Sequence, residues 1–526
     1  MPIITIDQRE VQVEPGSTVM QAAEELGVHI PRYCYHPGLS TAGSCRMCLV
    51  EIEKMPKLAI SCHTQVQEGM QVHTLSEQVA RARRTMLEFL LIDHPLDCPV
   101  CDQAGECDLQ NYYMEIGQHE SRFLEDKPKS KKASVIGPHV ILDQERCILC
   151  TRCTRFCKEI SKTDELGVFN RGNQSVIDLF PGRLLDNPYS GNVIDICPVG
   201  ALTEREFRFQ CRVWYLRQQN SICTGCSRGC NISLHHNASR PHKAGGKRVQ
   251  RLKPRFNPEV NQWWICDEGR FGYEFIDQNR IEHPHRRVNG ELETAGWDPV
   301  LEEITTSLET ALKTFGSQSI GVITSPQLSN ETLHLIRKLF GELMGIEQIG
   351  HHNPWEREGF HDDFLIRADK NPNRRGAQAM GFDYDSQSLL EKAASGEIKV
   401  LYIFQHDFKE DEAAALLEQA DYVIFQGSNW TRTADFSNVV LPSATHSEEE
   451  GTFTNFEGRI QHFEQAFLPL SDSKSGVEIM ALLAERLHHE WPYTDPEKAF
   501  MDWLGKPYNE LNDFGELIEI APDNIE

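Results

Sequence analysis

Apolar and polar positions alternate along residues 3–13 (IITIDQREVQV), the period-2 pattern of two short strands. VMQAAEELG (19–27) then places its apolar residues at helical spacing and closes on Gly27, ahead of a Gly- and Cys-rich loop. From Val79 to Asp93, VARARRTMLEFLLID predicts an amphipathic helix with three arginines on its polar side, delivering the chain to His94 and Pro95. Residues 125–138, EDKPKSKKASVIGP, are polar and turn-rich and read as a linker. REFRFQCRVWYLRQ (205–218) reads as a basic helical stretch. Beyond residue 280 the rhythm changes. Strand-like SIGVITS, KVLYIF and DYVIFQG alternate with helix-like VLEEITTSLETALKTF, NETLHLIRKLFGELMG and DEAAALLEQA, the order of a parallel α/β domain. No internal repeat is visible.

At 526 residues the chain exceeds one hydrophobic core, so several domains are expected. No apolar run is long enough to span a bilayer, so direct membrane insertion is not expected. The N-terminus reads as a strand pair, without the basic and apolar regions of a signal peptide. The net charge of −25 argues against nucleic-acid binding. One stretch reverses that sign: Arg205 to Arg255 holds twelve Lys and Arg and one carboxylate, Glu206. Its cations are either a solvated face, or offset a thiolate-ligated cluster or meet an acidic partner.

Of 17 cysteines, all but Cys157 and Cys211 fall into four ligand-spaced sets before residue 270. Such spacing favours a reducing compartment and metal ligation over disulfides. Cys34, Cys45, Cys48 and Cys62 form a lengthened variant of the plant-type ferredoxin loop and predict [2Fe–2S]. Gly43 and Ser44 there let backbone amides approach sulfur. His94, Cys98, Cys101 and Cys107 offer one imidazole and three thiolates for [4Fe–4S], with His94 also open to a capping role. Cys147, Cys150 and Cys153 with the distant Cys197-Pro198 copy the bacterial ferredoxin run and predict a second [4Fe–4S]. Cys157 is then a spare thiol. Cys223, Cys226, Cys230 and Cys266 suit a third [4Fe–4S]. Zinc stays open at the first, second and fourth sets, since four thiolates, or three with an imidazole, also bind zinc. Cys211 reads as a small buried hydrophobe on a helix.

HPLDCPVCDQAGECDLQ, ERCILCTRCTRF, NVIDICPVGALT and CDEGRFGYEF, in this order, resemble the large iron–sulfur (G) subunit family of bacterial NADH:quinone oxidoreductase, respiratory complex I. ADFSNVVLP (434–442) and EEGTFTNFEGRIQ (449–461) are similar to the molybdopterin oxidoreductase domain that this family carries as a relic. The resemblance implies an α+β and α/β multidomain chain. Its parts are a β-grasp [2Fe–2S] ferredoxin-like domain (1–78), a small helical His/Cys cluster segment (79–118) and a bacterial-ferredoxin-like [4Fe–4S] module (139–204). A [4Fe–4S] module of the molybdenum/tungsten bis-pterin type (216–275) and a shortened molybdopterin-oxidoreductase-like α/β domain (276–526) follow.

The same resemblance implies a redox subunit without substrate chemistry or catalytic residues, holding one [2Fe–2S] and three [4Fe–4S] clusters. Electrons would run from the FMN/NADH-binding subunit toward a two-[4Fe–4S] ferredoxin-like subunit and the quinone-reducing module. The fourth set would lie off that path, and its presence points to a bacterial source. The expected place is the cytoplasmic face of the bacterial inner membrane, in the peripheral arm. The region after 275 is shorter than a working molybdopterin enzyme, and HHNPWEREGFHDDFLIRADKNPNRRG (351–376) offers no cysteine to molybdenum, so no functional molybdopterin or molybdenum site is expected. Three alternatives stand beside this reading: the wiring subunit of a soluble NAD-linked hydrogenase or formate dehydrogenase, a molybdopterin enzyme, and a zinc scaffold.

Overall fold

The computed structural model describes residues 1–118, 120–351, 357, 359–382, 387–408 and 419–520. They form two compact units, Met1–Leu216 and Arg217–Glu526. All four ligand sets lie within them, three in the first unit and the fourth in the second.

The first unit opens with the strand pair the alternation predicts, β1 (Ile3–Ile6) and β2 (Arg9–Gln12). Helix α1 (Val19–Glu25) follows, started by a Thr18/Gln21 capping box and ended at Gly27, whose φ of 68° suits glycine. With β3 (Leu49–Ile52), β4 (Ala59–Ile60) and β5 (Gln71–His73), the strands make a mixed sheet in the order β2-β1-β5-β3-β4. Val19, Met20, Ala22 and Ala23 of α1 join Ile4, Ile6, Val50 and Val72 of the sheet in one core, which also takes in Cys48 and Cys62. This is the β-grasp arrangement: a sheet, one helix, and a cysteine loop at its edge.

Helix α2 (Glu77–Asp93) is capped by the Ser76 hydroxyl and packs on β3 and on α3 (Asp108–Ile116). Only part of its predicted polar face is polar. Arg83 is buried and donates to the Leu49 carbonyl at 3.0 Å, so one of the three arginines points into the protein. The stretch 125–138 is tied down rather than loose. Lys132 pairs with Asp97 and Glu145, and Ser134–Val135 joins a three-stranded sheet with Val140–Leu142 and Leu202–Glu204. The predicted basic helix at 205–218 is absent: the chain makes turns and one 3-10 turn, Val213–Tyr215, before the strand Arg217–Ile222. Phe209 sits at φ 63°, which no α-helix tolerates, and Arg212 is drawn to the Cys101 and Pro99 carbonyls instead. Cys211 is buried, as expected, but not on a helix.

The second unit begins with an antiparallel sheet, Arg217–Ile222, Asn231–His236 and Val249–Pro254. It continues into a seven-stranded sheet. Ile349–His351, Ile320–Thr324, Val400–Phe404, Tyr422–Gly427 and Val439–Pro442 run parallel in that order, and the hairpin His285–Val288/Glu291–Thr294 closes the edge antiparallel. Tyr402 and Phe404 pack in one core while Leu401 and Ile403 pack in another, so both faces of the sheet are covered and its strands are continuously apolar. Helix Trp297–Phe315 forms as predicted. NETLHLIRKLFGELMG begins as α-helix (Asn330–Ile336) and widens to a π-helical stretch over Arg337–Leu343. DEAAALLEQA falls largely on residues 409–418, outside the described residues. Among the described residues no helix is long and apolar enough to cross a membrane.

Candidate iron–sulfur centres

The first set sits at the edge of the N-terminal sheet, where Cys48 leads into β3 and Cys62 follows β4. The Cys45 thiol, the Cys45 N–H and the hydroxyl and N–H of Ser44 hydrogen-bond the Cys34 sulfur and pull its pKa down to about 5 against burial. The same contact, with burial, pushes Cys45 up. Cys48 and Cys62 form a second such pair, in which the Cys62 contact lowers Cys48 to about 6. Two hydrogen-bonded sulfur pairs bring all four residues together, with the amides of Ser44 and Cys45 on sulfur as the Gly43-Ser44 pair predicts.

In the second set His94 caps the C-terminus of α2, Cys98 begins a 3-10 turn and Cys107 precedes α3. His94, Cys98 and Cys107 line one cavity with Leu87, Leu91 and Leu109. The buried His94 Nδ1 has no hydrogen-bond partner among the described residues, a donor atom left over by their contacts. Burial lowers the His94 pKa to about 4, so the ring is a neutral imidazole, the form that can bind a metal. Cys101 is buried apart from that cavity, against Gly200 of the Cys197 loop: a Cβ on Gly200 would stand 2.3 Å from the Cys101 sulfur.

The third set closes around a small apolar cavity lined by Cys147, Cys150, Cys153 and Cys197 with Ile148, Ile177, Val199 and Leu202. Leu149 (φ 53°) and Thr151 (φ 60°) both take the left-handed conformation, so the loop turns tightly, and the Leu149 N–H points at the Cys147 sulfur at 3.4 Å. Helix α4 (Arg152–Glu159) carries Cys153 and, one turn on, Cys157. Cys157 does not line the cavity; its thiol is raised to about 12 by burial, with the Glu165 charge adding. Burial raises Cys147 and Cys197 to about 12 as well.

The fourth set lies at the start of the second unit. Cys223, Cys226 and Cys230 occupy the loop between Arg217–Ile222 and Asn231–His236. Cys266 caps the short helix Asp267–Phe271, its sulfur accepting the Gly269 N–H at 3.3 Å. A Cβ on Gly269 would stand 2.7 Å from the Cys223 sulfur. Lys370, bonded to Glu268 at 2.7 Å, places a cation near Cys223 and Cys226.

The residues fit iron–sulfur clusters on three counts: an orphaned imidazole nitrogen, glycines at points where a side chain would collide with a ligand sulfur, and buried thiols whose proton must be displaced by a cation. A cluster spreads its thiolates over several irons, each thiolate binding one, so four donors at such spacings need not converge on a single point.

The first three sets interlock. Cys107 and Cys197 sit on loops joined by the Asp108 N–H, which donates to the Pro198 carbonyl at 3.0 Å. Arg152 donates to Tyr35 O at 2.6 Å and to Ile196 O at 3.1 Å, tying the loop of the first set to that of the third. Arg146, just before Cys147, ion-pairs with Asp97 of the second set at 2.8 Å. These arginines and Gly200 escaped the sequence reading. Arginines at such spacings look like any solvated helix face, and a glycine reveals a close approach only once its neighbour is known.

Family comparisons cover nearly all of the chain. A 2Fe-2S iron–sulfur cluster binding domain matches residues 3–77, and an NADH-ubiquinone oxidoreductase-G iron–sulfur binding region matches 83–122. The ferredoxin-like domain of NADH-quinone oxidoreductase subunit 3 matches 137–203. A molybdopterin oxidoreductase Fe4S4 domain matches 217–278, and molybdopterin oxidoreductase matches 280–357 and 368–486. The G subunit of NADH-quinone oxidoreductase from Rickettsia bellii is 30% identical over 98% of this chain and 91% of its own. The mitochondrial NADH-ubiquinone oxidoreductase 78 kDa subunit of Candida albicans is 30% identical over 94% of this chain and 83% of its own. Among solved structures, an NAD+-reducing [NiFe]-hydrogenase chain is 34% identical and covers 40% of this chain and 91% of its own, with a TM-score of 0.37.

Proposed function

The chain belongs to the family of NADH-quinone oxidoreductase G subunits, and from that premise we propose that it is the wire, not the catalyst, between the FMN/NADH-binding subunit and the quinone-reducing module. The reading assigns [2Fe–2S] to Cys34, Cys45, Cys48 and Cys62. It assigns [4Fe–4S] to His94/Cys98/Cys101/Cys107, to Cys147/Cys150/Cys153/Cys197 and to Cys223/Cys226/Cys230/Cys266. The working segments are then 1–78, 79–118, 139–204 and 216–275, with 276–526 as scaffold. Iron–sulfur clusters supply one-electron transfer without proton chemistry.

The interlocking of the three sets in the first unit carries the proposal. The third set is joined to the first through Arg152 and to the second through Gly200 and the Asp108–Pro198 hydrogen bond. The assigned order is first, third, second, as the family resemblance implies. The first and second sets also touch directly, the Arg32 N–H donating to the Tyr112 hydroxyl at 3.3 Å. In this reading the second set is the exit toward the two-[4Fe–4S] ferredoxin-like subunit, and the exposure of Cys98 supports that role. The apolar walls of Ile148, Ile177, Val199 and Leu202 keep water from the third set, and its buried thiols give up their protons when iron binds.

The molybdopterin-like domain is a scaffold in this reading. No cysteine follows Cys266. The GTFTNFEGR segment is the hairpin Gly451–Thr454/Arg459–Phe463, and its polar groups are engaged by the domain itself. The Thr452 N–H donates to Glu331 at 2.9 Å, Asn330 donates to Thr452 and Thr454, and the Thr454 N–H donates to Asn373 at 2.7 Å. The complex would sit at the cytoplasmic face of the bacterial inner membrane.

Replacing Cys153 with Ala tests the relay in the assembled complex. NADH-to-quinone activity should vanish while NADH oxidation by artificial acceptors at the flavin persists. Full quinone activity in that variant overturns the proposal.

A further inference from the structure

Three residues of α4 at helical spacing, Arg152, Arg155 and Glu159, all reach the loop of the first set, 33–40. Arg155 does more than its neighbours. Its Nη2 donates to the Cys34 carbonyl and, at 3.2 Å, to the Cys150 carbonyl, so one nitrogen joins a ligand of the first set to a ligand of the third. Its Nη1 donates to Ser40 O and its Nε to Thr151 Oγ1 at 3.4 Å. No carboxylate among the described residues forms an ion pair with it. Glu159, one turn on, is held instead by the Ser40 N–H at 2.8 Å and by the Ser40 hydroxyl. The opposite junction is built differently: Arg146 faces Asp97 at 2.8 Å and Asp143 at 3.5 Å, so its charge is balanced.

We propose that Arg155 is a positioning residue that electrostatically couples the [2Fe–2S] and [4Fe–4S] centres held by the first and third sets, raising both reduction potentials together and bridging the gap between them. The inference rests on the cluster assignment proposed above. A guanidinium keeps its charge at any working pH. A fixed cation beside two centres favours the reduced, more negative form of each, most strongly where water is excluded. Hydrogen-bonded atoms also carry electron tunnelling better than an open gap, and the route Cys34 C=O, Arg155 Nη2, Cys150 C=O is continuous. The electron lost at one centre is the one gained at the other; Arg155 is neither oxidised nor reduced, and no proton moves.

The test is an EPR redox titration of the purified native complex, with the third-set signal identified as the one Cys153→Ala removes. In Arg155→Gln both that signal and the [2Fe–2S] signal should move to lower potential, with the second- and fourth-set signals in place. Glu159→Gln removes a nearby negative charge while keeping its contacts with Ser40, and both signals should move to higher potential. It decides the question where Arg155→Gln fails to assemble. Signals that stay put, or only one that moves, overturn the bridge. A native complex lacking either signal overturns the cluster assignment instead, and the bridge with it.

Discussion

A methyl group on residue 200 would lie 2.3 Å from the Cys101 sulfur and 3.1 Å from Gln103 Cβ. Real side chains do not approach so closely, so the second and third loops fit only with glycine there. Gly200→Ala should therefore cost the protein its second-set [4Fe–4S] signal while the [2Fe–2S] signal survives. EPR of the reduced variant checks this, and an intact second-set signal would contradict the packing. At this scale the sequence was most informative where chemistry leaves no choice of residue. A thiolate ligand must be cysteine, and a tight loop fixes the spacing to its neighbour, so four candidate sets could be read from the sequence. The residues between the sets were not. Arg155 and Arg146 work through carbonyls and carboxylates distant in sequence, and nothing local distinguishes them from surface cations.

Elements were legible in proportion to how far one face decides their fate. The N-terminal strand pair and α1 follow their periodicity because each turns an apolar stripe to one core. The parallel strands of the second unit are apolar throughout because both faces of their sheet are covered. The helix expected at 205–218 fails because Arg212 finds acceptors in the loop of the second set, a tertiary gain the local pattern does not contain. Arg83 turns inward for the same kind of reason, the Leu49 carbonyl. Helix Gly476–Arg486 shows what an element's end can hold: Glu449 accepts the Gly476 N–H at 3.2 Å. Burial, with the charges of Glu331, Glu448 and Glu478 adding, holds the Glu449 carboxyl up to about 8 against an ordinary 4.5. Between those values the folded chain binds more protons than the unfolded one, so this group's stabilisation is full below 4.5 and lost as pH rises through 8. Glu449→Gln should flatten the fall of melting temperature across that window; an unchanged slope would refute it.

The whole molecule divides its sets three and one between two compact units. Each unit holds its own ligand loops on its own sheets, so damage to the fourth set should stay local. Cys230→Ser is expected to remove one [4Fe–4S] signal and leave the potentials of the other centres unchanged, as a redox titration of the purified protein would read; a shift in the [2Fe–2S] potential would contradict this. Domain order was legible at this scale because each module carries its own motif. The alignment with the Rickettsia bellii relative runs over 628 positions against 526 residues, so the family accommodates segments this chain does not have.

Of all 17 cysteines, Cys98 is the most exposed to solvent; Cys45 and Cys147 are partly covered and the rest are buried. That exposure leaves one sulfur of the second set the most open to dissolved oxygen and peroxide in the isolated chain. Cys153 and Cys197 have no such opening. In air, the isolated subunit should bleach in a set order, the second-set centre first and the third-set centre later. Time-resolved EPR of aerated samples would follow that order, and simultaneous decay of the two would show that solvent access does not govern how this protein ages.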